Sequence, residues 1–286
     1  MKTTRTVIVT DSSAHIPPAI VAELGIVVIP LWLLWGDECL RDEVDIHSEV
    51  FYQRLRNSNS LPTTSQPSPQ EFKTLFQKLS EKYDSIVAIL VSSKISGTIT
   101  SAQIAASELP VIDIHVVDTL TCAMGLGMIV IAAARAAREG KSPRTIVKLA
   151  ESMGEMVYTL FVVDTLQYLF KGGRISGSKR LMGTMLNIKP MLHFKDGLIQ
   201  PLSQARSKKK AYNKMMDIIT ERLGGNHMVE AVVMDVDALE EGELVAQMLK
   251  DRFAPGRIDR AGVSPVVGTH VGPGTVGISF YPVKEI

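Results

Sequence analysis

Residues 6–10, Thr-Val-Ile-Val-Thr, form an unbroken β-branched and apolar run that stops at Asp11-Ser12-Ser13. A short run with no polar face is the pattern of a strand buried on both sides in a parallel sheet, delivering polar groups to its C-terminal edge. The unit recurs as an apolar run over 26–33, one over 86–91 with its polar exit at 92–97, and one over 114–117 with its exit at 118–121. Between the runs the apolar spacing turns helical. A helix is predicted over 17–24 with proline in its first turn, and another over 46–55, where Ile46, Val50, Phe51 and Leu55 share a face. Residues 57–69 read as a loop rich in Ser, Thr, Asn and Pro. Ser68-Pro69-Gln70-Glu71 is a capping box with proline at the first helical position, which starts a helix at 69 running to about 82. Helices over 98–108, from the 118–121 loop to about 139, and over 143–153 complete the alternation. Strands alternating with helices predict a parallel sheet covered on both faces.

After residue 156 the rhythm changes. A strand is predicted over 157–163, a break at Gly172-Gly173, and a hairpin in which Asp196-Gly197 joins apolar runs at 191–194 and 198–202. A helix over 207–223, a strand over 229–235, a helix over 239–252 and closing strands to 281 follow, which is the composition of a mixed sheet with helices. The fold class is therefore α/β with two domains: residues 1–155 built on a parallel sheet and 156–286 as a mixed-sheet domain. A length of 286 residues agrees with that division.

Lys and Arg total 31 against 30 Asp and Glu, a formal charge of +1 that supplies no general field for nucleic acid. Hydrophobic residues at 45% and charged residues at 21% exclude a disordered chain. Two distant cysteines, Cys39 and Cys122, give neither a disulfide framework nor a cysteine-rich zinc site and fit a reducing cytoplasm. The opening residues lack the pattern of a secretory signal, and the longest apolar runs, 26–35 and 122–134, fall short of the roughly 20 residues of a membrane span. Both runs read as core.

Several motifs fail on inspection. Gly172-Gly173-Arg174-Ile175-Ser176-Gly177-Ser178-Lys179 has the glycine spacing of a phosphate loop with Ser and Lys in the wrong order. Gly125-Leu126-Gly127 lacks the third glycine of a dinucleotide turn, and no G-x-S-x-G elbow occurs. The six histidines show no zinc spacing, so no metal is expected. Other segments survive. Pro62 to Pro67 and Ser92 to Thr98 each set hydroxyls ahead of a helix, where unpaired amides and neutral donors suit an anion. For Ser68 a plain helix cap accounts for the residue; for Ser96 a cap and an anion donor are both open. Lys171 to Ile175 and Gly268 to Gly274 are glycine-rich loops holding Arg174 and His270, readable as tight turns or as a ligand's close approach. Arg206 with Lys208-Lys209-Lys210 is a basic run at a helix start, readable as a solvated face or a docking surface.

In their order along nearly the whole chain, these segments resemble the DegV family of bacterial lipid-binding proteins, which includes the fatty-acid-carrying subunits of fatty-acid kinase. The resemblance rests on Val9-Thr10-Asp11-Ser12-Ser13, Thr64-Ser65-Gln66-Pro67-Ser68-Pro69, Ser92 to Thr98, Tyr168-Leu169 with Lys171 to Ile175, Lys189-Pro190, and Gly268 to Gly274. It implies a Rossmann-like N-terminal domain, a mixed-sheet C-terminal domain with helices, and a long-chain fatty acid buried in a tunnel between the two, with its carboxylate on Thr64 and Ser96 and no cofactor. It further implies that Arg174, Arg206 and His270 are the polar residues of the kinase-linked members, which present the acid to a separate ATP-binding kinase subunit for acyl-phosphate formation. Asp118-Thr119 stands where many members carry Asp-Ser, and His15-Ile16-Pro17 replaces an Asp-Leu-Pro turn. The expectation is a non-enzymatic, cytoplasmic lipid carrier. The rival readings are a phosphotransferase-like enzyme acting on a small hydroxylated substrate and a regulator that works by interaction alone.

Overall fold

A computed structural model of the protein describes residues 5–58, 60–175 and 188–282; positions 176–179 of the phosphate-loop-like pattern lie outside the described residues. The first half runs β1 (Thr6–Asp11), a 3-10 turn (Ser12–Ala14), α1 (Pro18–Leu24), β2 (Val27–Ile29), β3 (Trp32–Trp35), β4 (Glu38–Arg41), α2 (Ser48–Asn57) and β5 (Thr63–Ser65). It continues with α3 (Pro69–Ser80), β6 (Ser85–Leu90), α4 (Thr98–Ser107), β7 (Asp113–Asp118), α5 (Ala123–Arg138) and α6 (Pro143–Met156). β1, β2, β6 and β7 form one all-parallel sheet in the order β2-β1-β6-β7. Its two faces explain the unbroken apolar runs. Val7, Val9, Ile86 and Ala88 pack on Phe72 and Phe76 of α3, while Ile8, Val87 and Ile89 face the side covered by α5 and α6.

The chain leaves β1 for β2 on one side and later returns to β6 on the other, so the strand order switches at the β1/β6 edge, where ligands of open α/β sheets sit. Asp11 closes that edge. Its carboxylate accepts from Val91 N at 2.8 Å, Ser13 N at 3.1 Å and Ser13 Oγ at 2.5 Å, and burial pushes its pKa up.

The expected single strand over 26–33 is two strands in two sheets. Pro30 has no amide to donate to a ladder, and Leu31 N turns instead to Ser12 Oγ at 3.0 Å. Beyond that break β3 joins a small antiparallel sheet, β4-β3-β5. The expected loop over 57–69 accordingly contains β5, paired so that Leu33 lies opposite Thr64.

The second half runs β8 (Tyr158–Val162), α7 (Gln167–Lys171), β9 (Lys189–Lys195), β10 (Leu198–Ala205), α8 (Lys208–Leu223), β11 (Met228–Val236), α9 (Leu239–Phe253), β12 (Arg257–Gly262), α10 (Pro265–Val271) and β13 (Thr275–Pro282). Its six-stranded sheet has the order β10-β9-β8-β13-β11-β12 and is antiparallel except for the β11/β12 pair. The β9–β10 turn is Asp196-Gly197, both at positive φ (52° and 79°), as a two-residue hairpin with native twist requires. Alternate residues of this sheet take different partners. Leu160, Val162, Val233, Ile278 and Phe280 share a core with Tyr212 and Met215 of α8 and Leu249 of α9. Phe161, Leu192, Val232 and Met234 instead belong to the cluster that contains Ile8, Leu126 and Ile129 of the first half.

The two halves are stitched where α10 begins. Tyr52 Oη donates to Val263 O at 2.8 Å, and Ser264 N donates to His15 Nδ1 at 2.9 Å. Asp42 accepts from Ser264 Oγ at 2.8 Å and from Val266 N at 3.1 Å, so a carboxylate from the first half caps a helix of the second. Burial raises the Asp42 pKa to about 7 and lowers that of His15 to about 3.

Candidate functional site

Between the halves lies a cavity lined by residues of both. Its walls are apolar: Leu31 and Val91 from the first half, Phe161 and Met234 from the six-stranded sheet, and Val267 and Val271 from α10. The alternation of β8, β11 and β13 produces this surface, because the residues turned away from α8 and α9 face the first half.

Polar side chains gather at one end. Thr64 is brought there by the pairing of β5 with β3, Ser96 by the loop from β6 into α4, Arg174 by the turn after α7, and His270 by α10. Thr64 Oγ1 and His270 Nε2 are 2.7 Å apart although 206 residues separate them in sequence. His270 Nδ1 is shielded from water and has no partner among the described residues. The ring packs against Gly172, where a Cβ would overlap Nδ1. Burial, with the nearby Arg174 charge second, lowers the His270 pKa to about 4, so the imidazole is neutral at physiological pH. Arg174 is itself oriented by backbone: Nε donates to Ile95 O at 3.2 Å and Nη1 to Gly172 O at 2.6 Å.

The two readings of Ser96 can now be compared. The cap position of α4 is Gly97, and no side chain caps it. Ser96 Oγ lies 2.8 Å from Thr98 Oγ1 and takes only a long 3.4 Å contact from Thr98 N. Ser68, by contrast, completes the capping box with Glu71, whose N donates to its Oγ at 3.2 Å and whose Oε2 accepts from Ser68 N at 2.8 Å. Arg206 does not join the group. It is exposed in the turn between β10 and α8 and does not line the cavity.

Ser65 and Gln66, inside the Pro62–Pro67 segment but not singled out there, also line the cavity, and sequence reasoning missed the whole apolar wall. Gln66 left a signal: it sits in the Thr-Ser-Gln-Pro segment, packed so near Gly97 that a Cβ there would lie 3.0 Å from its Nε2. The wall left almost none, since a valine lining a cavity and a valine in a core occupy the same alternating position. The expected Gly268–Gly274 loop is also corrected: Pro265 opens a helix, and His270 rides on its last turn. No group of three or more His, Cys, Asp or Glu placed to hold a metal occurs among the described residues, and no helix there is long and apolar enough to cross a membrane.

Comparison with known proteins gives a consistent result. The DegV family, described as uncharacterised proteins, matches residues 5–283. A DegV domain-containing protein of Halalkalibacterium halodurans is 36% identical over 279 residues, covering 97% of this chain and 99% of the relative. Among solved structures, a fatty-acid-binding DegV family protein from Thermus thermophilus superposes with a TM-score of 0.92 at 31% identity, covering 98% of this chain and all of its own. DegV of Bacillus subtilis, described as a fatty acid binding protein, gives 0.88 at 33% identity with the same coverage.

Proposed function

The chain belongs to the DegV family, and on that premise we propose that it binds one long-chain fatty acid, with the tail in the cavity and the carboxylate at Thr64, Ser96, Arg174 and His270. The observation that carries this reading is a cavity with mainly apolar walls in which Thr64 and His270, from opposite halves, are in contact beside Arg174. An apolar wall favours an acyl tail over the small hydroxylated substrate of a phosphotransferase.

Magnitudes divide the labour. Burying the roughly fifteen carbons of a palmitoyl tail at about 0.8 kcal/mol each contributes on the order of 12 kcal/mol. Association costs about 4 to 15 kcal/mol. Hydrogen bonds to the charged carboxylate add about 1.5 to 3 kcal/mol each, so the tail supplies affinity and the head fixes orientation. A neutral His270 suits that task. With Nε2–H donating to Thr64 Oγ1, the threonine hydroxyl is free to donate to the carboxylate.

The protein acts as a carrier without chemistry of its own. Its partner is a separate ATP-binding kinase subunit, toward whose bound nucleotide the carboxylate oxygen attacks the terminal phosphorus, giving an acyl phosphate and releasing the nucleoside diphosphate. Arg174 stabilises the charge arriving at the head group, and the exposed Arg206 belongs to the docking face. Two unpaired cysteines, Cys39 exposed and Cys122 buried, support a cytoplasmic setting. A domain boundary near 155 is supported by the sheets, since the parallel one ends at Asp118 and the mixed one begins at Tyr158.

Mass spectrometry of an organic extract of the purified protein tests the central claim. Stoichiometric long-chain fatty acid is expected, and Thr64→Ala with Ser96→Ala lowers affinity and, by taking the partner from the buried His270 Nε2, lowers the melting temperature modestly while the fold stays intact. A protein that carries no fatty acid and takes none up on addition refutes the reading.

A further inference from the structure

α10 belongs to the second half by sequence but is held at both ends by the small sheet β4-β3-β5 of the first. At its N-terminus Asp42, which follows β4, accepts from Ser264 Oγ and Val266 N; at its last turn His270 Nε2 meets Thr64 of β5. Both anchors project from one face of the sheet. Leu33 lies opposite Leu40 and Thr64 and shares a face with them, and Asp42 stands two residues past Leu40, where the alternation of a strand returns to that face. Asp42 is fixed to the sheet by its own backbone, since its N–H donates to Leu31 O at 2.9 Å, one step beyond the Trp32–Arg41 pair. Two strand spacings across and two residues along place the Cα atoms of Asp42 and Thr64 about 12 Å apart. The helix rises about 9 Å from Ser264 to His270, so α10 spans the gap with only side chains to make up the difference.

Between the anchors α10 has little freedom. Tyr52 Oη of α2 donates to Val263 O just ahead of the helix, and a Cβ on Gly268, at its middle, would overlap that same hydroxyl. Two turns of hydrogen-bonded backbone confined in this way carry a shift of the first turn to the last. The inner side of α10 lines the cavity with Val266, Val267, His270 and Val271, whereas Asp42 is buried without lining it. Asp42 thus holds the wall from behind, and its route to a ligand runs along the helix.

We infer that the β4-β3-β5 sheet is a clamp that sets the head-group geometry and that Asp42 is a positioning residue, placing His270 against Thr64 through α10; the inference rests on the fatty-acid reading above. The test compares palmitic acid with palmityl alcohol on delipidated protein, because the two share a tail and differ in the carboxylate. Asp42→Ala weakens binding of the acid about tenfold, the worth of one hydrogen bond to a charged group, and that of the alcohol about twofold at most. Asp42→Asn, whose carboxamide oxygen still accepts from Val266 N, restores the acid. The His270 ring resonances shift in Asp42→Ala and stay near their wild-type positions in Asp42→Asn. Ser264→Ala removes the Oγ contact alone, weakens the acid about threefold at unchanged alcohol affinity, and decides the matter where Asp42→Ala does not fold. Unchanged acid affinity in a folded variant, or an equal loss for acid and alcohol, overturns the inference. A wild type that binds neither compound overturns the carrier reading instead, so the two failures are distinguishable.

Discussion

His270 stays neutral beside a guanidinium, and that has a measurable consequence for pH. Its folded pKa is about 4 against an ordinary 6.5, so between those values the unfolded chain holds a proton that the folded protein does not. Stability from this group is complete above 6.5 and is lost as pH falls toward 4. His15, at about 3, adds to the loss with the same sign. Asp42 works in the opposite direction: its folded pKa of about 7 lies above the ordinary 3.8, so its contribution is lost as pH rises from about 4 through 7. Asp42→Asn removes only that opposing trend. Its urea midpoint relative to wild type should therefore be higher at about pH 8 than at about pH 5, and parallel pH curves for the two proteins would contradict the assignment. Gly172→Ala tests the same neighbourhood sterically. The new Cβ collides with His270 Nδ1, so a loss of about 1–3 kcal/mol in folding stability is expected together with weaker fatty-acid binding, read by thermal melting and ligand titration.

Elements report how local signals compete with tertiary ones. Ser68→Ala should cost about 1 kcal/mol by urea unfolding and leave lipid content unchanged, because its capping box stands outside the cavity. That box, the Asp196-Gly197 turn, the buried strands β1 and β6 and the edge strand β7 were legible in the sequence because each follows from neighbours a few residues away. β5 was not. Three residues are too few to show a period, and only pairing with β3 makes Thr63–Ser65 a strand. α10 hid behind its glycines, which mark close packing: Gly268 lies where a Cβ would overlap the Tyr52 hydroxyl. The proposed head-group residues were reached through family resemblance, since Thr64 and His270 meet across most of the chain and no spacing rule joins them.

At the scale of the whole molecule, one apolar cluster runs from Ile8 and Val87 through Leu126 and Ile129 to Phe161, Leu192 and Met234, linking both halves. Calorimetry should therefore show a single unfolding transition, and two resolved transitions would mean that the halves melt independently. Free fatty acid at a hundredfold excess over its dissociation constant should stabilise the delipidated protein by about 2.7 kcal/mol, seen as a higher melting temperature. The 206-residue separation of Thr64 and His270 also bears on biogenesis. A ribosome extending the chain at about 5–20 residues per second needs roughly 10–40 s to travel from one to the other. During it the wall grows in chain order, Val91 and Cys122 first, then Phe161 and Met234 from the second half, and Thr64 meets its His270 partner only at the end. On the proposed reading, a fatty acid is therefore held only once the last sixth of the chain has left the ribosome.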